Sequence, residues 1–370
     1  MRQKKPDKGL IIVILLLLTF GLVILFTASI VVSQEQTGNP YYYFFHQLIY
    51  GGVLGLVAFF ICQKIDYKIW KKFSLLIFFV ALILCALVFV PQIGYGHGGA
   101  QRWIAVGPIT FQPSEFLKLA LIIYLAAFFS KTRLPTGRKE TQKGNVGNLI
   151  SYLAITAVIV GLMTLQNDAG TLGLIVIVGF IMFFLTGAKL SHTIIVFVCY
   201  AATFFALIKF FPHRMQRFIT FLNPSIDPQG ISYQINQALL AIGSGGFSGR
   251  GLGHSIQKYN YLPEPMGDSI FAIMAEEIGF IGSIIFIILF IILIFKGLRI
   301  TKKTPHDFGK LLACGIVCWF GFQALINISA ISGLIPLTGI PLPFVSYGGS
   351  ALIIIMAGAG ILVNISKHLT

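Results

Sequence analysis

The sequence predicts an all-α polytopic membrane protein with about ten transmembrane helices. Of its 370 residues, 56% are hydrophobic and only 11% are charged, and the mean hydropathy is +0.87. Ordinary soluble domains carry about 25% charged residues. Apolar runs long enough to cross a hydrocarbon core of roughly 30 Å also recur along the whole chain. We therefore expect a single transmembrane domain over residues 1–370.

The apolar runs define the individual spans. The ten predicted spans are 9–33, 42–63, 73–94, 114–130, 149–165, 171–187, 192–211, 269–295, 311–331 and 342–365. The fifth and sixth are short and the seventh follows closely, so one re-entrant segment stays open as an alternative. The first run follows basic residues as a signal peptide does. Its apolar stretch of about 25 residues is too long for one, which favours an uncleaved span.

The distribution of basic residues predicts the orientation. Of the 27 Lys and Arg, 20 fall in the two tails and in the loops around 64–72, 131–148, 188–191 and 296–310. The positive-inside rule places these segments and both termini in the cytoplasm. The large loop at about 212–268 then lies outside, and any chemistry faces outward. This topology accounts for the net charge of +15, so a nucleic-acid partner is not expected.

The first outer loop is glycine-rich and leads into a charged start of the fourth span. It contains Arg102 and Trp103, and Glu115 and Lys118 follow. Residues three apart share a helix face, so Glu115 and Lys118 are expected to pair, either at a substrate site or as a purely structural salt bridge. Trp103 beside Arg102 is a candidate wall of a head-group site. The alternative for Trp103 is an anchor in the interfacial aromatic belt.

The second outer loop, about 212–268, is too long for a simple connector. It begins with Arg214 and Arg217, whose guanidinium groups would clamp a phosphate or pyrophosphate. Anchoring to lipid head groups is the alternative. A glycine-rich run follows at 243–253, and its free backbone amides would suit an anion or a sugar. The candidate residues in that run are Ser244, Gly245 and Gly246.

Residues 261–277 hold four of the 12 acidic residues, where a polar loop meets an apolar run. The four are Glu264, Asp268, Glu276 and Glu277. Carboxylates at a membrane boundary are costly to desolvate, which indicates function. Glu276 and Glu277 lie about two turns into the span. They would orient Asp268, hold a metal, or pair with Lys118 or another helix, and pairing is the expected role of at least one.

Two further polar residues are expected to support the structure. Asp168 precedes a glycine and a threonine at a helix start, which is typical of an N-cap. Ser346 belongs to a Ser-Tyr-Gly-Gly-Ser segment that favours close helix packing over substrate contact. The sequence contains no Walker loop, dinucleotide fingerprint or His/Cys cluster, so we expect no ATP hydrolysis and no organic cofactor.

Six segments resemble motifs of the SEDS proteins, the shape, elongation, division and sporulation group. They are Gly-Ala-Gln-Arg-Trp (99–103), Gln-Pro-Ser-Glu-Phe-Leu-Lys-Leu (112–119), Asn-Asp-Ala-Gly-Thr (167–171), Ala-Ile-Gly-Ser-Gly-Gly (241–246), Tyr-Leu-Pro-Glu-Pro-Met-Gly-Asp-Ser-Ile-Phe-Ala (261–272) and Pro-Leu-Pro-Phe-Val-Ser-Tyr-Gly-Gly-Ser (341–350). The resemblance runs in order from the first span to the last. The segment Gly-Leu-Gly-His-Ser-Ile-Gln-Lys (251–258) is more similar to the FtsW division branch than to the RodA elongation branch.

The resemblance implies a peptidoglycan glycosyltransferase that polymerises lipid II at the outer face of the bacterial cytoplasmic membrane. It also implies a class B penicillin-binding protein as transpeptidase partner, together with other membrane proteins of the division or elongation machinery. The family's essential aspartate maps onto Asp268. The family commonly has His-Thr before it, where this chain has Met266 and Gly267, and Pro-Asp-Leu-Gly-Thr appears as Asn-Asp-Ala-Gly-Thr (167–171). No role that needs the missing His carries over.

The candidate residues fit that chemistry. Forming a β-linkage from an α-linked muramyl donor inverts the anomeric centre, which one displacement accomplishes. Asp268 would take the proton from the acceptor hydroxyl, and Arg102, Arg214 and Arg217 would neutralise the departing pyrophosphate. Glu264 is a further substrate-side candidate, and a divalent cation, magnesium or manganese, is an additional option.

Two alternatives to an enzyme stay open. A lipid II flippase would need essential charged residues throughout the membrane depth. A non-catalytic scaffold for the penicillin-binding protein would tolerate the loss of Asp268.

Overall fold

The computed structural model describes residues 5–97, 100–106, 109–132, 142–223, 230 and 232–369. Within these residues the chain is a bundle of helices with a small sheet at one end. In chain order the helices are α1 (Lys8–Thr37), α2 (Tyr42–Lys64), α3 (Tyr67–Leu87), α4 (Pro113–Thr132), α5 (Gln142–Leu165), α6 (Ala169–Phe184), α7 (Leu190–Phe210), α8 (Pro212–Leu222), α9 (Tyr233–Ser244), α10 (Ile270–Lys303), α11 (Asp307–Ile331) and α12 (Gly349–Ile365).

The ten predicted spans correspond to α1–α7 and α10–α12, which confirms the all-α polytopic fold. Among the described residues, nine of these helices are long and apolar enough to cross a membrane. Helix α6 has only 16 residues, which is about 24 Å at 1.5 Å per residue. It packs between α4, α5 and α11. The prediction for the last span began too early, because Pro341 and Pro343 keep residues 342–348 out of the helix.

Helices α4, α11 and α12 form the centre of the bundle. Trp319 on α11 has no exposed surface and Phe320 beside it is 1% exposed. Helix α7 lies at the edge, where Phe197, Phe205 and Phe210 are largely exposed. In a membrane protein this apolar surface faces lipid. The polar residues that matter for function therefore have to lie near the centre or at the ends of the bundle.

Residues 94–111, predicted as a loop, contain a three-stranded antiparallel sheet. Its strands are β1 (Gly94–His97), β2 (Ala100–Val106) and β3 (Ile109–Phe111), in the order β1-β2-β3. The prediction missed them because glycine is depleted in ordinary strands. At Gly94 the chain passes so close to Val88 that a Cβ would lie 1.9 Å from the Val88 carbonyl oxygen.

The two ends of the bundle differ. The sheet end carries β1–β3, α8, α9 and the segment 245–269. The terminal end carries both ends of the described chain, where the Asp7 amide donates a 3.1 Å hydrogen bond to the Ser366 hydroxyl. All of the candidate residues of the second predicted loop lie at the sheet end.

Helix α10 is broken at Gly279, which has φ 67° and ψ −169°. A break removes backbone hydrogen bonds, which is costly inside a membrane unless other groups replace them. The glycine-rich run supplies the replacements through four backbone bonds. They join Arg250 N to Glu276 O (3.0 Å), Gly251 N to Glu277 O (2.9 Å), Phe280 N to Gly246 O (2.9 Å) and Ile281 N to Phe247 O (3.1 Å).

Candidate functional site

Asp268 lies two residues before α10 begins, at the sheet end. Its Oδ1 accepts a 3.3 Å hydrogen bond from Nε2 of Gln234 on α9. Its backbone carbonyl accepts a 2.8 Å hydrogen bond from Nδ2 of Asn327 on α11. The residue is half-buried. Asp268 is therefore held by two helices and is only partly exposed.

Residues 342–348, which we call the clasp segment, form hydrogen bonds to the turn 264–268. The Ser346 hydroxyl donates a 2.7 Å hydrogen bond to the Gly267 carbonyl, and the Tyr347 amide donates a 2.9 Å bond to the Met266 carbonyl. Both bonds end on backbone carbonyls. The side chains at these two positions are therefore not needed for the contact, and Met-Gly in place of His-Thr leaves it intact. Ser346 thus supports the turn through a hydrogen bond, whereas the sequence had indicated a role in helix packing.

The surroundings of Asp268 favour a proton acceptor. The pKa of Asp268 is raised from its ordinary value of 3.8 to about 6, mainly by burial and also by the charge of Glu264. The Arg217 charge and the hydrogen bond from Gln234 act in the opposite direction. The carboxylate is thus mostly ionised at neutral pH and still basic enough to accept a proton, as a general base must be.

Glu264 itself is exposed and has a positive φ of 50°. Its backbone carbonyl accepts hydrogen bonds from the amides of Gly267 (3.0 Å) and Ser269 (3.3 Å). Glu264 thus shapes the turn through its backbone and acts on Asp268 through its charge. Direct binding of substrate by Glu264 stays a prediction.

The three candidate arginines converge at the sheet end. Burial lowers the pKa of Arg214 and the Arg102 charge lowers it further, whereas Asp168 raises it. Part of the Arg217 side chain is exposed to solvent. Its guanidinium group is nevertheless surrounded by protein, and this burial lowers the pKa of Arg217. Asp268 raises the pKa of Arg217 and Arg102 lowers it. Cations that repel one another in this way are typical of a site for a polyanion.

The arginines have hydrogen-bonding capacity to spare. Both Nη atoms of Arg214 are buried, and the described residues offer them no acceptor. Nε of Arg102 is in the same state, while its Nη2 donates to the Asn167 carbonyl. Nη1 of Arg217 donates a 3.1 Å bond to the Leu337 carbonyl. Buried donors without partners cost free energy, so Arg214 is the arginine best prepared for an anionic ligand.

Asp168 caps α6, as predicted. Its Oδ1 accepts a 3.2 Å hydrogen bond from the Thr171 amide, and its Oδ2 accepts a 3.1 Å bond from the Ser114 hydroxyl at the start of α4. Asp168 therefore ties two helix starts together and also places a negative charge near Arg214.

Glu115 and Lys118 form the predicted salt bridge, with 2.7 Å between Oε1 and Nζ. Lys118 Nζ also donates a 3.0 Å bond to Oε1 of Gln323, and the same oxygen accepts a 2.7 Å bond from Trp319 Nε1. Glu115 Oε2 is buried without a partner among the described residues. This network joins α4 to α11 and favours the structural alternative. Substrate binding by the pair stays a prediction.

A small cavity of about 10 Å³ lies between α4, α6 and α11, on one side of this network. Apart from Lys118 its walls are apolar. They include Ile122, Ile175, Val178, Met182 and Trp319. At this size the cavity has room for no more than about one water, so it is not a binding site for lipid, sugar or pyrophosphate.

Glu276 and Glu277 do not approach Asp268 or pair with Lys118. Glu276 accepts hydrogen bonds from the Ser255 hydroxyl (2.6 Å) and the Ile256 amide (3.0 Å). Glu277 pairs with the buried Lys258 at 3.2 Å and accepts a 2.6 Å bond from the Thr27 hydroxyl. The expected pairing is confirmed, with Lys258 as the partner. Both glutamates anchor the segment 250–258 to α10.

The glycine-rich run was predicted to bind an anion or a sugar through free backbone amides, and these amides are not free. The amides of Gly249, Arg250 and Gly251 already donate to backbone carbonyls. Gly245 has no room for a side chain, since a Cβ there would lie 2.1 Å from the Ala275 carbonyl oxygen. The run is glycine-rich because it packs into the broken helix. Substrate contact by Ser244, Gly245 and Gly246 stays a prediction without this support.

Trp103 does not share a face with Arg102. The two are consecutive on β2, and consecutive side chains of a strand point to opposite faces. Trp103 pairs with Tyr95 on β1 and is half-buried. The role of Trp103 as a wall of a head-group site stays a prediction.

A divalent cation would have to use few protein ligands. Among the described residues there is no group of three or more His, Cys, Asp or Glu that could hold a metal ion. Magnesium, however, keeps several waters and needs only one or two carboxylates together with substrate phosphates. Asp268 and Glu264 fit that pattern, so a cation that arrives with a pyrophosphate substrate stays a prediction.

The prediction missed three residues that shape the site. Gln234 and Asn327 contact Asp268, and Gln323 joins the network of Lys118. Gln323 and Asn327 lie four apart, hence on one face of a transmembrane helix. Polar residues within a span are a recognised functional signal that would have found them. Gln234, in an amphipathic outer helix, carried no such signal.

The chain is similar to known proteins over most of its length. A family model described as "Cell cycle protein" (FtsW/RodA/SpoVE) matches residues 8–370. Stage V sporulation protein E of Bacillus subtilis strain 168 is 39% identical over 323 residues, 87% of this chain and 86% of that protein. A "Probable peptidoglycan glycosyltransferase FtsW" of Trichlorobacter lovleyi is 38% identical over 329 residues, 87% of this chain and 83% of that protein.

Solved structures share the fold. A chain from a structure on the coordination of polymerization and crosslinking by a peptidoglycan synthase complex superposes with a TM-score of 0.78. It is 25% identical, and 98% of each chain is covered. The rod shape determining protein RodA of Thermus thermophilus gives a TM-score of 0.70 at 25% identity, covering 98% of this chain and 97% of that chain.

Proposed function

This chain belongs to the FtsW/RodA/SpoVE family, and we propose that it is a peptidoglycan glycosyltransferase that polymerises lipid II. The observation that carries the proposal is the half-buried Asp268, whose pKa is raised to about 6 and whose charge interacts with that of Arg217. A base next to a cationic site is what glycosyl transfer from a pyrophosphate donor requires. Relatives named "Probable peptidoglycan glycosyltransferase FtsW" support the same activity.

Asp268 is the general base of the proposed reaction. The acceptor hydroxyl oxygen forms a bond to the anomeric carbon of the donor sugar while the bond from that carbon to the pyrophosphate oxygen breaks. The hydroxyl proton passes to Asp268, and the electron pair of the broken bond stays on the pyrophosphate. One displacement inverts the anomeric carbon and needs no covalent intermediate. A positioned base typically contributes about 10²–10⁴-fold.

The arginines stabilise the leaving group. Arg214 has two buried Nη atoms for which the described residues provide no acceptor, and it would bind the pyrophosphate most directly. Arg217 interacts electrostatically with Asp268 and with Arg102. Arg102 adds a third positive charge. Donors placed where negative charge develops are worth roughly 10²–10³-fold each in related acyl-transfer sites.

The proposed location is the bacterial cytoplasmic membrane, with the sheet end facing outward. In the sequence, the two tails and the loops around 64–72, 131–148, 188–191 and 296–310 hold 20 of the 27 Lys and Arg, which supports a cytoplasmic position for these segments under the positive-inside rule. Lipid II would then meet Asp268 at the outer surface of the membrane.

A class B penicillin-binding protein is the proposed partner, together with other membrane proteins of the division or elongation machinery. Similarity to a chain from a peptidoglycan synthase complex supports this partnership.

The test is polymerisation of lipid II by the purified protein, with and without its penicillin-binding protein. We expect glycan strands from the wild type and none from a folded Asp268→Asn variant. The matched control is Glu35→Gln, which neutralises another carboxylate at the sheet end that only contacts Asn260 (2.7 Å). Equal product from the wild type and Asp268→Asn would remove Asp268 from the reaction. Lipid II transport across vesicle membranes without polymer would instead support a flippase.

A further inference from the structure

The first turns of α2 contact the clasp segment on the side opposite Asp268. Oε1 of Gln47 accepts a 3.0 Å hydrogen bond from the Gly348 amide. Nδ1 of His46 lies 3.0 Å from the Tyr347 hydroxyl. These are two adjacent residues on α2 that hold two adjacent residues of the clasp segment.

The contact coincides with an irregularity in α2. Residues Gln47–Val53 form a π-helical turn, and π-turns inside transmembrane helices are rare and frequently lie at functional sites. Gln47 is 1% exposed. The packing there is tight, since a Cβ at Gly51 would lie 3.1 Å from both the Gln47 side chain and Leu352 of α12. The π-turn therefore fixes Gln47 in one position against α12.

The clasp segment, which α2 holds in place, is itself hydrogen-bonded to the turn that contains Asp268. Ser346 and Tyr347 bind the carbonyls of Gly267 and Met266, and Asp268 is the next residue. Every link in this path is a hydrogen bond of 2.7–3.0 Å. None of the links involves the arginines or the lysine network.

We propose that His46 and Gln47 are positioning residues, which set the placement of the Asp268 carboxylate through the clasp segment without touching substrate. The inference rests on the proposed function of Asp268. Loss of the Gln47 oxygen leaves the Gly348 amide buried and unpaired, so the segment has to shift to find a new partner. A misplacement of about 1 Å at a reacting group costs up to about 10²-fold in rate.

The test compares variants that remove the contact with one that keeps it. Gln47→Met keeps the volume and removes the acceptor, and His46→Phe removes the ring nitrogen. His46→Asn retains a polar atom near the position of Nδ1. We expect kcat for lipid II polymerisation to fall about 10- to 100-fold in Gln47→Met and His46→Phe. KM should stay within about twofold, and His46→Asn should recover most of the rate.

The matched control is Asn364→Leu. Asn364 is also a buried amide that contacts the opposite end of α2. It accepts a 3.0 Å bond from the Tyr67 amide and donates a 2.7 Å bond to the Gln63 carbonyl. We expect it to lower the melting temperature as Gln47→Met does and to leave kcat unchanged. A loss of kcat in Asn364→Leu equal to that in Gln47→Met would show a general structural effect and overturn the inference.

Hydrogen exchange separates this inference from the proposed function. Peptides covering residues 262–272 should exchange faster in Gln47→Met and His46→Phe than in the wild type and Asn364→Leu. This result does not depend on activity. Unchanged exchange and unchanged kcat would overturn the positioning role while Asp268 remains the base. Faster exchange in an enzyme whose Asp268→Asn variant still polymerises would instead overturn the proposed function.

Discussion

The carboxylate of Asp268 and the side-chain amide of Gln234 are 3.3 Å apart, and this contact makes the two carboxylate oxygens unequal. Oδ1 is held by Gln234, a residue of α9. Oδ2 faces Gly339, where it would lie 3.9 Å from an added Cβ, and Gly339 is exposed. Oδ2 is therefore the oxygen that can reach an approaching hydroxyl, while Oδ1 fixes the orientation of the group.

The rate of polymerisation should depend on pH with an acid limb near 6. The base form of Asp268 is required, and burial raises the pKa of Asp268 to about 6. Activity should therefore rise between pH 5 and pH 7 as the carboxyl loses its proton. Initial rates measured over this range at saturating lipid II would check the value. If the rate instead rose with a midpoint near pH 4, the carboxyl of Asp268 would be solvated in the working enzyme.

Replacing Asp268 by Asn should stabilise the protein above pH 6. The folded state binds the Asp268 proton more tightly than the unfolded chain, because the folded pKa of Asp268 is raised from 3.8 to about 6. This group therefore lowers the free energy of unfolding as pH rises through that window, by roughly 3 kcal/mol in total. Asp268→Asn removes this pH-dependent decrease in the free energy of unfolding. The melting temperature of Asp268→Asn should be higher than that of the wild type at pH 8, and the two should be equal at pH 4.

Arg214→Gln should reduce kcat by more than tenfold. The variant removes the guanidinium whose buried Nη atoms have no acceptor among the described residues, so the leaving pyrophosphate loses its nearest donor. Arg214→Lys should recover only part of the rate, because an ammonium cannot bind a phosphate with two parallel bonds. Arg250→Gln is the control, since Arg250 is exposed and contacts Glu276 at 3.6 Å. An equal loss in that control would point to unfolding of the loop.

Removal of divalent cations should lower activity if the cation arrives with the substrate. Glu264 then supplies a protein carboxylate to the cation while Asp268 remains the base, and affinity for the free protein should be weak. Chelation should reduce polymerisation, magnesium or manganese should restore it, and Glu264→Gln should raise the concentration of metal needed. Full activity in the presence of chelator would assign the whole neutralisation of the pyrophosphate to the arginines.

Contacts that are local in the chain could be predicted from residue type and spacing. Glu115 and Lys118 are one helical turn apart, so their pairing follows from helix geometry. The Asp168 cap follows from the preference of aspartate for helix starts. Both are present in the structure. The ten spans could be predicted equally well, because hydropathy alone identifies a segment that crosses a bilayer.

Contacts between distant segments could not be predicted in this way. Gln234 and Asp268 are 34 residues apart, and Asn327 and Asp268 are 59 apart. Nothing in the sequence of either partner specifies the other. The glycine-rich run shows the same limit. Glycine permits both a ligand loop and close backbone packing, and only the position of the run against Gly279 decides between them.

Gly279→Ala should prevent the protein from folding or lower its melting temperature strongly. Gly279 has φ 67°, which disfavours any side chain, and a Cβ there would lie 2.2 Å from the Gly249 amide nitrogen. The run would have to leave the break in α10, and the backbone groups on both sides would lose their partners inside the membrane. Because α10 begins next to Asp268, a folded remainder of the population should also lose activity.

The matched control for that variant is Gly161→Ala in α5. An added Cβ at Gly161 meets nothing within 4 Å, and alanine in a helix interior is favoured over glycine by roughly 0.5–1 kcal/mol. Gly161→Ala should therefore equal or exceed the wild type in melting temperature and retain full activity. Yield of monodisperse protein in detergent and thermal unfolding curves would compare the two variants directly. A Gly279→Ala protein with wild-type stability would show that α10 can run straight, and that the glycine-rich run is free to leave it and meet a ligand.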